Sequence, residues 1–398
     1  MNHERRIQIV ISGWYGHQNI GDEAILSSIL LKLSVKIPSA KFIVLSDNPK
    51  NTSEIHNVIA VNNLFPDDYS DFALTFFRGD FLKTINVLSN ADLFLIGGGG
   101  MLSDWQSWRV ILRWLAPLIF VRARGGKTAV YAIGAGPLTT FIGRHLTRFF
   151  LNHFVDVITV RDEDSKKWLL KCGVKKTITV TADPAINLPE QYPAFENLYS
   201  NIKKGSKVER VGLIFTPLFH REELWPNKQP EWDRLRESYV GIVDGILDRG
   251  LAPILIPYFY PDEALLAEWI QRKIFEKRGI EIKIEVVKNP HDALKLLKTM
   301  DVVISVRLHG QIMSASLGVP VIGLIYHSKS REFLRRIGLL NYSPRNDMEI
   351  ENINKLQVLE KLDLIINEYP LVQDSLIKAM NELKKQEAIT YSTLETLL

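Results

Sequence analysis

A single cysteine, Cys172, stands in 398 residues. The chain can therefore form neither an internal disulfide nor a cysteine metal cluster, and a sequence of this kind suits a reducing compartment. Charge of one sign is scarce as well: the formal net charge is +4, with Lys and Arg scattered along the chain. No basic footprint for nucleic acid is evident, and an anionic small ligand fits better. Long apolar runs are missing. The most apolar stretch, residues 110–121, contains Arg113 and Pro117 and falls short of the about 20 residues a membrane-spanning helix needs. The apolar run that follows Arg6 stops at Gly13, too soon for a signal peptide, so a cytoplasmic protein is expected. G-x-G-x-x-G, Walker A, H-E-x-x-H and G-x-S-x-G patterns are all lacking. Dinucleotide, P-loop, zinc-protease and serine-nucleophile chemistry are thereby disfavoured, and no metal site is indicated.

Apolar residues are present at 46% and charged residues at 24%, the balance of a globular protein. The length exceeds what one hydrophobic core usually organises. Short β-rich runs alternate with segments of helical period, the pattern of βαβ units and parallel sheets. One series of strands is predicted at 6–13, 41–46, 57–62, 91–96, 128–133, 155–161 and 177–181. A second is predicted at 210–216, 252–258, 280–287, 301–307 and 320–326. Between them, proline, asparagine and the run Lys203-Lys204-Gly205-Ser206-Lys207 have the composition of a linker. The expectation is an α/β protein of two doubly wound parallel-sheet domains facing a cleft: 1–188, a linker at 189–207, and 208–370. A helical tail at 371–398 would cap the second domain or cross both.

Ligands of open α/β sheets bind where loops leave the carboxyl ends of strands. Three such loops of the first domain carry glycine: Gly16-His17-Gln18-Asn19-Ile20-Gly21-Asp22-Glu23, Gly97-Gly98-Gly99-Gly100 and Gly134-Ala135-Gly136-Pro137. Four successive glycines are entropically costly, which points to close approach of a ligand or a facing domain. Asp22 and Glu23 also fit the plain role of acids in a first helical turn. Arg161 closes a strand and offers forked donors to a carboxylate or phosphate. Asp162 reads as a helix N-cap and Asp183 as a turn residue.

The second domain holds the sharpest cluster, Ser305-Val306-Arg307-Leu308-His309-Gly310, followed one strand later by Tyr326-His327-Ser328-Lys329. A guanidinium, an imidazole and an ammonium at adjacent strand ends suit a small ligand that bears both phosphate and carboxylate.

In order along the chain, the first motif, the glycine loops, Val160-Arg161-Asp162-Glu163-Asp164-Ser165, Ala182-Asp183-Pro184 and Arg307-Leu308-His309 resemble the polysaccharide pyruvyl transferase family, over about residues 8 to 335. The usual first motif is similar to G-N-x-G-D-E; here His17 and Gln18 precede a retained Asn19-Ile20-Gly21-Asp22-Glu23 core. The resemblance implies a GT-B-like fold and transfer of the pyruvyl group of phosphoenolpyruvate to a sugar of a cell-surface polysaccharide or its lipid-linked precursor. A ketal forms and phosphate leaves. Phosphoenolpyruvate would be a co-substrate, with no cofactor. It further implies His309, as acid/base, and Asp22 as the catalytic pair, Arg307 and Lys329 as donor ligands with Arg161 and Arg148 in second rank, and an acceptor side built from Asp22, Gly21, Glu23, Gly97, Gly98, Gly99, Gly100, Gly134 and Gly136. Two other readings share this architecture: a glycosyltransferase using a nucleotide sugar, and a non-catalytic carbohydrate-binding relative.

Trp105, Trp108 and Trp114 mix with Arg109, Arg113, Arg122 and Arg124 around the apolar stretch, a composition expected at a bilayer interface. A peripheral contact at the inner face of the membrane is the resulting expectation, against burial of the same segment in the first core.

Overall fold

The computed structural model describes residues 6–65, 79–195, 207–220, 225–344 and 350–398. Two sheets, all of whose strand pairs are parallel, organise them. The seven-stranded sheet contains β1 (Gln8–Ser12), β2 (Lys41–Ser46), β3 (Ile59–Asn62), β4 (Leu93–Gly97), β5 (Lys127–Ile133), β6 (Val157–Val160) and β7 (Ile178–Val180), in the order β3-β2-β1-β4-β5-β6-β7. The five-stranded sheet contains β8 (Arg210–Ile214), β9 (Ala252–Leu255), β10 (Lys283–Ile284), β11 (Val302–Ser305) and β12 (Val321–Gly323), in the order β10-β9-β8-β11-β12. This is the α/β, doubly wound arrangement expected from the sequence.

Burial on both faces explains why the central strands read as unbroken apolar runs. Every residue of Leu-Phe-Leu-Ile-Gly in β4 is buried, and Ile9, Val10 and Ile11 of β1 are fully enclosed. The edge strand β10, which pairs with β9 alone, is two residues long, where a run over 280–287 suggested more. Helix starts follow local chemistry. Thr140 accepts from the Gly143 amide to begin Phe141–Phe154, and Asp162 accepts from the Ser165 amide to begin Glu163–Lys171, each filling a donor the first turn leaves open. The apolar stretch at 110–121 is two short helices, Arg109–Leu115 and Pro117–Arg122, the second starting on its proline.

In each sheet the chain winds outward from the central strand and then returns to pair on that strand's other side. β1 lies between β2 and β4, and β8 lies between β9 and β11. The carboxyl ends of β1 and β4, and those of β8 and β11, therefore flank the points where strand order reverses, the positions at which such sheets open a crevice.

By internal contacts the chain divides into one unit of Met1–His17, Asp22–Gln191 and Leu383–Leu398, and another of Gln18–Gly21 and Tyr192–Glu382. The segment Gln18–Gly21 groups with the second unit, where the Ile20 amide donates to Tyr258 O and Asn19 bridges Phe259. The tail lies within the helix Tyr369–Glu395, which serves the second unit through Tyr369 and Gln373, donors to the Asp301 and Gly318 carbonyls. Its later turns belong to the first unit, where Lys32 donates to Glu387 and Lys384 to Glu190. Of the linker expected at 189–207, residues 196–206 lie outside the described residues.

Candidate active site

In the second unit, segments after β8, β9 and β11 meet at the reversal between β8 and β11. Glu263, in the first turn of the helix Asp262–Arg278, is 1% exposed. Its Oε1 accepts from Thr216 Oγ1 at 2.8 Å and from Arg307 Nε at 2.6 Å; its Oε2 accepts from the Tyr258 and Phe259 amides at 2.7 and 3.1 Å. A buried carboxylate is tolerable only when its lone pairs are filled in this way. Arg307, half-buried, also lies over the Phe259 ring, 5.3 Å from its centroid. The guanidinium is thus held in place by charge on one side and an aromatic face on another. Burial, with the nearby Glu263 charge, pushes the Tyr258 hydroxyl far above its ordinary value, so it stays neutral.

Arg307 is the N-cap of the helix Leu308–Ser316, which places His309 in the first turn. The His309 ring sits against the backbone of Gly21: a Cβ there would come within 2.3 Å of Nδ1, so no larger residue fits at 21 without displacing the imidazole. Lys329 is in the first turn of the helix Ser328–Arg336, which follows β12 and is capped by His327. Because β11 and β12 are hydrogen-bonded neighbours, both helix N-termini lie at one sheet edge, where backbone amides and the helix dipole favour an anion.

In the first unit the glycine loops interlock. The β4 end is tied down by Tyr15, whose hydroxyl donates to Gly97 O at 2.7 Å. Gly98 and Gly99 adopt φ of +63° and +71°, which L side chains rarely take, and Asp22 Oδ1 would lie 3.2 Å from a Cβ on Gly99. Gly134 donates to Gly99 O at 2.7 Å and Gly136 to Leu102 O at 2.6 Å, joining the β5 loop to the β4 loop; Gly100 is exposed. Asp22 therefore borders the four-glycine loop.

Other expected residues have structural surroundings. Glu23, 1% exposed, accepts from the Gly16 amide at 2.9 Å and from His56 Nε2 at 2.6 Å, closing the β1 loop on itself. Arg161 is buried in the first unit, donating to Asp183 at 2.7 Å with Asp162 at 3.6 Å. Arg148 is exposed on the helix Phe141–Phe154 and packs its stem on Gly173, which precedes β7, so it is not at a carboxyl strand end. Arg113 and Trp114 do not face outward: the Arg113 side chain is 3% exposed, bonds Asp47 and lies between the rings of Trp14 and Trp114. Arg122 pairs with Asp156. The residue that sequence reading missed is Glu263. Its one visible sign is an acid in a first helical turn, a signal shared with many surface residues.

Two parallel α/β domains with their polar residues at the strand-order reversals define the GT-B class, and solved structures of that class are similar to this chain. A UDP-GlcNAc 2-epimerase from Neisseria meningitidis aligns at 12% identity and a TM-score of 0.60, covering 98% of this chain and 100% of that one. A UDP-glucose:anthocyanidin 3-O-glucosyltransferase aligns at 11% and 0.59, with 99% of each chain covered. A Listeria monocytogenes protein assigned as a UDP-N-acetylglucosamine 2-epimerase aligns at 14% and 0.57, covering 94% of this chain and 90% of that one. No curated protein matches the sequence. The profile of the family "Polysaccharide pyruvyl transferase" matches residues 19–328, and the chain belongs to that family.

Proposed function

We propose that the protein transfers the pyruvyl group of phosphoenolpyruvate to a saccharide acceptor, with the second unit holding the donor and the first receiving the sugar. The reading rests chiefly on Arg307, anchored on buried Glu263 beside His309 at the strand-order reversal. The reaction balances without a cofactor. Two acceptor hydroxyls add to the enol carbon, one hydroxyl proton ends on the former methylene, the other leaves with phosphate, and a cyclic ketal remains. Protonation of the methylene carbon needs a positioned acid, the role given to His309. Departure of phosphate needs cations and helix N-termini aimed at the developing charge, the role given to Arg307, Lys329 and the two helix starts beside β11 and β12. Asp22, beside the four-glycine loop, would orient an acceptor hydroxyl. The cytoplasmic site of action, where phosphoenolpyruvate is made, belongs to the same reading, as does a lipid-linked acceptor.

Calorimetric titration with phosphoenolpyruvate, beside phosphate-release rates on an oligosaccharide panel, tests it. Losing an arginine from a buried anionic contact costs about 2–5 kcal/mol, so Arg307→Ala should raise the donor Kd at least about tenfold. His309→Ala should leave donor binding nearly intact and lower turnover about 10²-fold or more. Asp22→Asn should slow turnover without changing donor affinity. Unchanged donor affinity in Arg307→Ala, or unchanged turnover in His309→Ala, would overturn the assignment. Heat on titration with UDP but none with phosphoenolpyruvate would replace it with a nucleotide-sugar reaction.

A further inference from the structure

The helix Phe141–Phe154 presents an outward face that its own domain does not cover. Phe141 is 69% exposed, Ile142 45% and Phe149 51%. At a helical period these fall on one stripe with His145, while exposed Arg144 and Arg148, four residues apart, line its flank. Beside this stripe stands Trp105, 55% exposed. The two are locked together by Asp104, which precedes Trp105 and accepts from the Thr139 and Thr140 amides at 2.7 and 2.8 Å and from Thr140 Oγ1 at 2.6 Å, immediately before Phe141.

Along this stretch of the chain the charge has one sign. Between Asp104 and Asp156 the sequence contains no Asp or Glu, and Arg109, Arg124, Arg144 and Arg148 are exposed. A solvated surface helix ordinarily mixes both signs. Large apolar side chains flanked by arginine, with tryptophan at the margin and no acid, are what a helix lying in the headgroup region requires. The place is apt too: Trp105 and Phe141 follow the loops that leave β4 and β5, the same sheet edge as Gly97 to Gly100 and Gly134.

We propose that the helix Phe141–Phe154, with Trp105, docks the protein on an anionic lipid bilayer and so brings the glycine loops of the first unit to the headgroup layer. The assignment concerns binding and does not rest on the reaction catalysed. It replaces the face suggested by the Trp/Arg segment, in which Arg113 and Trp114 are buried and Arg122 is paired with Asp156.

The test is co-sedimentation of the full chain with vesicles of phosphatidylcholine alone or mixed with phosphatidylglycerol, at low and high salt. Binding to the mixed vesicles, weakened by salt, is expected. Both Arg144→Glu/Arg148→Glu and Ile142→Gln/Phe149→Gln should lower partitioning at least about tenfold while leaving the thermal melt unchanged. In the intact protein, brominated lipid should quench a part of the tryptophan emission that Trp105→Phe removes. Absence of wild-type binding to the anionic vesicles, or equal binding by both double variants, would overturn the proposal. A concentration-dependent dimer abolished by the same variants, without lipid binding, would also overturn it and give the face to a second copy of the chain.

Discussion

Glu263 and Arg307 are 44 residues apart in the chain and joined by one short charged hydrogen bond, so each sets the position of the other. If Glu263 acts on the donor only by holding the guanidinium, Glu263→Gln should raise the KM for phosphoenolpyruvate more than it lowers kcat. In an Arg307→Ala background it should then add almost nothing, a non-additivity that a separate structural role would not produce. A double-mutant cycle on donor affinity measures this; additive losses would remove the link. Cys172 illustrates the opposite case, a reactive residue type made inert by its surroundings. Burial pushes its thiol up to about 11, leaving little thiolate at neutral pH. A thiol reagent should label it rapidly only in denaturant, and rapid native labelling would show that the helix end at Lys171 opens.

At the scale of elements, the start of the helix Phe141–Phe154 depends on Asp104. Burial acts to raise this carboxyl, but the bonds from Thr140 and Thr139 outweigh burial and hold it below its ordinary value. A depressed folded-state value contributes stability above the unfolded carboxyl range, near pH 4, and that contribution is lost as pH falls through the folded value. Asp104→Asn replaces one acceptor oxygen by an amide that faces donors and should cost about 1–3 kcal/mol at pH 7. Denaturant titrations should show the gap to wild type closing as the solution is acidified below pH 4. A gap independent of pH would mean that packing, not charge, carries the effect. The strands were legible in the sequence because residues buried on both faces leave a continuous apolar run, as in β4 and β5. Strand ends were less legible: β11 stops at Ser305, since Arg307 must turn away to cap the next helix.

For the whole molecule, the helix Tyr369–Glu395 contributes to both units, and its last turns bury Leu383, Leu394 and Glu387 in the first. Burial of each leucine is worth about 1.5–3 kcal/mol, a large share of the about 5–15 kcal/mol that usually separates folded from unfolded chains. A chain ended at Glu382 should therefore show the first unit melting well below the second in scanning calorimetry, with Lys32 deprived of its Glu387 partner. Coincident, unshifted transitions would show that the terminal turns are dispensable.

Sequence alone determined the α/β class, the two series of parallel strands and the strand-end positions of Arg307, His309, Lys329, Asp22 and the glycine loops. Those features are written locally, in runs of buried residues and in the motifs that interrupt them. Only the tertiary structure decided which charges are engaged inside the fold. Asp47 lies 66 residues from Arg113, and Thr216 lies 47 residues from Glu263. The helix Phe141–Phe154 shows its uncovered face only once the packing of its other side is known. Partners brought together by chain folding leave no periodic or compositional trace along the sequence, because the free energy that selects them is that of desolvating a charge at a place the sequence does not name.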